Sequence, residues 1–405
     1  MSAIFTGMFA PARNSGRRRC LWPLVLAAAM CLGASGYTGA ESTTYTIRGF
    51  DSRVQQGIDL IYGLRFEEAD AYFETVIEAE PENPLGHFFL AMVTWWRVLI
   101  DLDDTAHDEA FYDLLGRCIE VCDRRLEQDP DDFDAILFKA GAIGFRGRLR
   151  GDRGQYLRAA GDGLKCLPLL NKSRTMEPTN KDILFGQGIY NYFAEVMPRQ
   201  HPIIKPILWL LPAGDRELGL QQLRQVAAEG LYARTEAAYF LAQIYRLFEK
   251  DKALALPFLQ ELFARYPDNA LFHRYTARTL AELGWWKKSL DLYEQVAARS
   301  RQGRSGYHRK GFIEAVYYLG KTSFYLHRHG PARRHLATVD SLESAIPREQ
   351  GGYAAAANLF LGMIADLEAK RPAAIVHYER AAELGGGETK RLARQYLKEP
   401  YAERR

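Results

Sequence analysis

From residue 51 to about residue 385, apolar residues recur at steps of three and four, the period that places them on one face of an α-helix. Gly57, Leu60 and Leu64 lie on one segment and Ala69, Phe73 and Val76 on the next, with a turn near residues 64–66. Pro81 stops the second helix. Small residues at Gly57 and Ala69 permit close helix approach. Two helices of this length cannot bury both faces alone, so each pair requires neighbours.

The pattern then repeats. Ala91 supplies a small contact in LAMVTWWRVL, an acidic connection follows, and a partner helix runs from about Ala110 to Pro130. A third pair spans Ile136 to Pro178 around the connection GFRGRLRGDRGQYLR. Further on, Tyr239, Ala242, Ala255, Leu259, Leu262 and Pro267 are followed 34 residues later by His273, Thr276, Ser289, Tyr293, Val296 and Arg301. Two more pairs centre on Leu319-Gly320, Ala332, Leu336 and Val339, and on Leu361-Gly362, Ala374, Tyr378 and Ala381. Residues 388–398 read as a closing helix after the glycines at 385–387, and no strand pattern is evident.

The 34-residue spacing and the order of small, aromatic and proline positions resemble tetratricopeptide repeats over roughly residues 51–385. The resemblance implies an all-α solenoid, a right-handed superhelix of about eight antiparallel helix pairs. Connections at 101–109, 146–156 and 299–310 are irregular in length. It also implies a concave groove lined by the first helix of each pair. Phe240, Arg274, Arg278, Tyr317, Lys321 and Phe324 fall at groove positions. Two arginines and a lysine there could hold a partner's carboxylate through charge-assisted hydrogen bonds. The carboxylate clamp of chaperone-binding repeats is similar, but its asparagines are missing.

One stretch interrupts the array: FGQGIYNYFAEVMPRQHPIIKPILWLLPAGDRELGL, residues 185–220, with prolines at 198, 202, 206 and 212. Each proline removes a donor and restricts its predecessor, which argues against a continuous helix. A first helix over Ile183–Tyr192 and a second from Asp215, a good N-cap, make this an elaborated repeat with a long insert. The insert is apolar at Ile203, Ile204, Leu208 and Trp209, residues that either fold back on the core or face a partner. Gly186, Gly188, Asn191, Pro198, Gly214, Asp215, Arg216, Gly219 and Leu220 resemble the eukaryotic tetratricopeptide-repeat 39 and inclusion-body-clearance family, over about forty residues. That resemblance implies an interaction protein rather than an enzyme. The expected divisions are 1–40, 41–182, 183–230 (the elaborated repeat), 231–385 and 386–405.

Residues 1–40 are of another character. Arg17, Arg18 and Arg19 precede the apolar run Cys20–Leu32 and a small-residue exit, the pattern of an export signal cleaved near Gly36 or Ala40. An uncleaved anchor is the alternative. The envelope or periplasm is the expected location. Those residues hold four arginines and no acid, so of 53 basic and 50 acidic residues the remainder keeps 49 against 50. The apparent basicity belongs to the leader, and a nucleic-acid partner is not expected. Cys118, Cys122 and Cys166 remain, an odd number at no metal-like spacing, read as packed apolar residues.

Charge is uneven along the rest. Residues 101–134 hold thirteen acids and three bases, a net of −10, whereas 299–335 hold nine bases and one acid, a net of +8. Residues 146–158 carry five arginines against one aspartate. Such blocks make solvated faces or docking patches. His327, His329 and His335 have no carboxylate or cysteine at a recognised spacing, so neither a metal nor a cofactor is expected. No nucleophile has an assignable base. The expectation is therefore a non-enzymatic adaptor that binds a protein or peptide. The alternative is an envelope protein contacting anionic lipid or polysaccharide through 299–335.

Overall fold

Seventeen α-helices and no strand form among the described residues of a computed structural model, which are 52–200, 212–344 and 352–403. The first unit holds α1 (Ser52–Tyr62), α2 (Phe66–Ala79), α3 (Pro84–Ile100), α4 (Asp108–Gln128), α5 (Phe133–Asp152) and α6 (Tyr156–Met176). It continues through α7 (Ile183–Gln200), α8 (Arg216–Glu229) and α9 (Arg234–Gln243), and ends in a π-turn, Ile244–Phe248. A second compact unit begins at Glu249. It holds α10 (Lys252–Arg265), α11 (Ala270–Glu282), α12 (Trp286–Arg301), α13 (Arg309–Tyr325), α14 (His329–Glu343), α15 (Ala354–Leu367), α16 (Arg371–Leu384) and α17 (Gly387–Lys398). Each unit is a stack of consecutive helix pairs, an all-α helical-repeat solenoid of tetratricopeptide type. Residues 1–40, and Ile203, Ile204, Leu208 and Trp209, lie outside the described residues.

One turn recurs inside the pairs. Leu64, Gly154, Gly284, His327 and Ala369 all take a left-handed φ between 56° and 79°. In each turn the next residue's amide reaches back five residues, as in Arg65 N to Leu60 O (3.0 Å) and Lys370 N to Ala365 O (2.8 Å). This closure satisfies the last carbonyls of the first helix and reverses the chain. Small residues then let the two helices meet. A Cβ on Gly57, Gly320 or Gly362 would lie within 2.5 Å of Phe73, Leu336 or Tyr378, each sixteen residues downstream.

The elaborated repeat differs from its expected outline. α7 does not stop at Tyr192 but passes Pro198 to Gln200. The chain returning after residue 211 supports the longer helix. The Tyr190 hydroxyl donates to the Pro212 carbonyl, and Glu195 Oε2 accepts from Arg216 N at 2.8 Å. α7 and α8 cross almost backbone to backbone, since a Cβ on Gly219 would lie 2.5 Å from Tyr192 N. Asp215 caps α8 as expected, accepting from Leu218 N at 2.9 Å. Asp182, at the start of α7, accepts from the amides of Leu231, Tyr232 and Ala233, which fastens the turn into α9.

Candidate functional site

Each unit buries an arginine–glutamate cluster on the first helices of its pairs. In the first unit Trp95 and Trp96 come from α3, Arg148 from α5, and Glu236 and Phe240 from α9. Arg148 Nη1 lies 3.1 Å from Glu236 Oε1, and both side chains are nearly sealed from solvent. The guanidinium is held between the rings of Trp95 (4.4 Å) and Phe240 (4.2 Å), where cation–π attraction replaces part of its lost hydration. Tyr62 Oη donates to Glu236 Oε2 at 3.4 Å. Burial raises the Glu236 pKa, and Arg148 only partly opposes the rise.

The second unit places two arginines on one acid. Arg278 Nε donates to Glu314 Oε1 at 3.1 Å and its Nη2 pairs with Oε2, while Arg274 Nη2 lies 3.5 Å from Oε2. Tyr293 Oη donates to Glu314 Oε1 at 3.0 Å, and Arg278 Nη2 donates to Tyr353 Oη at 2.8 Å. Glu343 positions Tyr353 by accepting from the amides of Gly352, Tyr353 and Ala354 at the head of α15. Burial pushes the Glu314 pKa up, but Arg278, Arg274 and the Tyr293 hydroxyl outweigh it and hold the carboxyl below the usual range. Lys321 is 2% exposed, lies 5.3 Å from the Tyr318 ring centre, and is brought down to about 7 by burial.

Of the six residues expected on a groove, five are buried and Arg278 is partly exposed. Arg274, Arg278, Tyr317 and Lys321 gather in one tyrosine-rich cluster of the second unit. Phe324 lies further along α13, against Phe360 (5.1 Å) and Tyr401 (6.2 Å). Phe240 belongs to the first unit, as the wall behind Arg148. The physical reason is that the first helices are covered almost all round; in α13 thirteen of seventeen residues are buried. Glu236, Glu314 and Tyr353 were missed in the sequence. Glu314 carried a usable signal, being the one acid among nine bases in residues 299–335.

The two basic stretches fare differently. In residues 146–158 four of the five arginines meet a carboxylate: Arg146 and Arg150 meet Asp162, Arg148 meets Glu236, and Arg153 meets Asp108, while Arg158 is exposed and donates to Gln155. In residues 299–335, Arg299 and Arg304 meet Asp268 and Arg333 meets Glu368, whereas Arg301, Arg309, Arg328 and Arg334 are exposed and form no ion pair among the described residues. At the α13–α14 turn His327 Nδ1 lies 3.3 Å from Glu403 Oε1, with His329 beside them.

No family model matches the chain, and no curated protein matches it, so the narrower resemblance of residues 185–220 gains no support from them. Solved structures similar to it are helical-repeat proteins. Human IFIT1, as a dimer with PPP-AAAA, is 14% identical, covering 83% of this chain and 72% of its own, with a TM-score of 0.43. The C-terminal part of a TPR repeat-containing protein from Cytophaga hutchinsonii is 16% identical, covering 73% and 97%, with a TM-score of 0.35. Yeast Tom70 is 10% identical, covering 85% and 87%, with a TM-score of 0.35.

Proposed function

We propose that this chain is a non-enzymatic interaction scaffold whose second unit captures an acidic protein segment on the exposed basic surface of α12–α14. The observation that carries the reading is the contrast between the two basic stretches. Residues 146–158 spend four of their five arginines on carboxylates, whereas Arg301, Arg309, Arg328 and Arg334 are exposed and meet none, Arg301 lying over the Phe312 ring at 5.3 Å. Unpaired surface cations on a rigid helical frame attract and orient an anionic partner. The groove residues serve as the frame that fixes this surface, because Arg274 and Arg278 are already met by Glu314 and Lys321 is buried.

The test uses full-length protein with a glutamate-rich peptide, a phosphatidylserine-containing vesicle and a single-stranded RNA as probes. Arg301→Glu, Arg309→Glu and Arg334→Glu together are expected to weaken peptide binding at least tenfold, and salt to weaken it in the unmodified protein. Peptide affinity unchanged by the triple variant sinks the reading. Preference for the vesicle replaces the acidic segment with an anionic surface. Preference for RNA replaces it with nucleic acid, a class that the near-zero net charge had set aside and that the IFIT1 likeness keeps among the probes. Export is part of the proposal and rests on residues 1–40. It predicts a mature protein beginning near Tyr37 or Glu41; an N-terminus at Met1 overturns cleavage and leaves the uncleaved anchor, whereas recovery from the cytoplasm alone overturns export. Among the described residues no helix is long and apolar enough to cross a membrane.

A further inference from the structure

We propose that His327, His329 and Glu403 form a divalent-cation site of the zinc class that latches the C-terminal tail onto the α13–α14 turn. The candidate ligand atoms of the three residues all lie within 4.8 Å of one another. Bonds of about 2.1 Å in a tetrahedral shell place ligand atoms about 3.4 Å apart. His327 Nδ1 and Glu403 Oε1, at 3.3 Å, already meet that spacing. His329 needs to close by no more than about 1.4 Å, within the reach of a side-chain rotation.

A second observation points to a ligand. His329 Nε2 is buried and has no hydrogen-bond partner, although a buried ring nitrogen is normally satisfied. A simple ion pair accounts for His327 and Glu403 but leaves His329 unexplained. Two imidazoles and one carboxylate select zinc-like ions over calcium or magnesium, which take oxygen shells. The fourth position falls to water.

The tail reaches the site without help from the metal. Asp366 accepts from Tyr401 N at 2.8 Å while also holding Arg371 and Tyr378. The Tyr401 ring packs against Tyr396 (5.4 Å) and Phe324 (6.2 Å). Glu403 follows two residues later, 76 residues beyond His327 in the chain. A bound ion therefore adds one more tie between the tail and the α13–α14 turn.

The experiment titrates Zn²⁺ alone into untagged, chelator-treated full-length protein by calorimetry, with hydrogen exchange followed at residues 399–403. One equivalent should bind and exchange at the tail should slow. His327→Asn, which tolerates the left-handed backbone at that position, and His329→Ala and Glu403→Gln should each weaken binding at least tenfold. His335→Ala, outside the cluster, should bind as the unmodified chain does. Absence of binding overturns the proposal. So does equal affinity across all four variants, which identifies an adventitious ion only, or zinc binding that leaves tail exchange unchanged.

Discussion

Glu236 and Glu314 sit in similar surroundings, each sealed among aromatic rings with arginine against it, yet they hold their protons in opposite ways. Glu236 faces one arginine, and burial keeps its pKa raised. Glu314 faces two arginines and a tyrosine hydroxyl, and its pKa is lowered in spite of burial. Both carboxylates accept from a tyrosine hydroxyl, so the difference teaches that one buried cation does not offset the loss of water around a carboxylate, whereas two do. The first unit pairs four of the five arginines in its basic stretch with carboxylates, while the second gathers Arg274 and Arg278 on Glu314 and leaves four nearby arginines exposed and without an ion pair among the described residues.

Removing the acid gives the largest expected difference. Glu314→Gln leaves two buried guanidiniums short of charge and should cost about 3–5 kcal/mol in chemical denaturation. Glu236→Gln should cost about 1–2 kcal/mol, because one cation is exposed to the loss and the Trp95 and Phe240 faces still hold it. Equal losses would break the comparison. pH sharpens it further. Unfolded glutamate titrates near about 4.3. The Glu314 contribution, with its depressed folded pKa, is full above that value and lost as pH falls through the folded one. The raised pKa of Glu236 works the other way: its contribution is full below about pH 4.3 and lost as pH rises. Denaturation across pH should therefore show Glu236→Gln flattening the loss of stability on the neutral side. Glu314→Gln should flatten the loss on the acid side.

Lys321 extends the second cluster. Its folded pKa of about 7 lies below the unfolded value near 10.4, so its favourable contribution is present above the latter and lost as pH falls through about 7. Lys321→Met should raise the melting temperature most at and below neutral pH and least in strong alkali. A gain independent of pH would mean that packing, not charge, governs the site. Smaller effects test the basic stretches. Asp162→Asn, which weakens the pairs with Arg146 and Arg150, should cost about 1–3 kcal/mol. The surface variant Arg301→Glu, Arg309→Glu, Arg334→Glu should stay within about 0.5 kcal/mol per substitution. A large loss there would show those arginines to be structural.

What the sequence by itself determined was local. Periods of three and four residues, small residues facing aromatics, the closing helix at 388–398 and the Asp215 cap were all legible, because each depends on neighbours within about one repeat. The turns were half legible, since glycine marks Gly154 and Gly284 whereas Leu64, His327 and Ala369 take the same left-handed conformation without it. Only the tertiary structure decided which charges meet. Arg148 finds Glu236 across 88 residues, Arg278 finds Glu314 across 36, and His327 finds Glu403 at the far end of the chain. The reason is that periodicity reports which face of a helix is covered but not what covers it. A cationic side chain at an inward position therefore reads the same whether it awaits a partner or already has one.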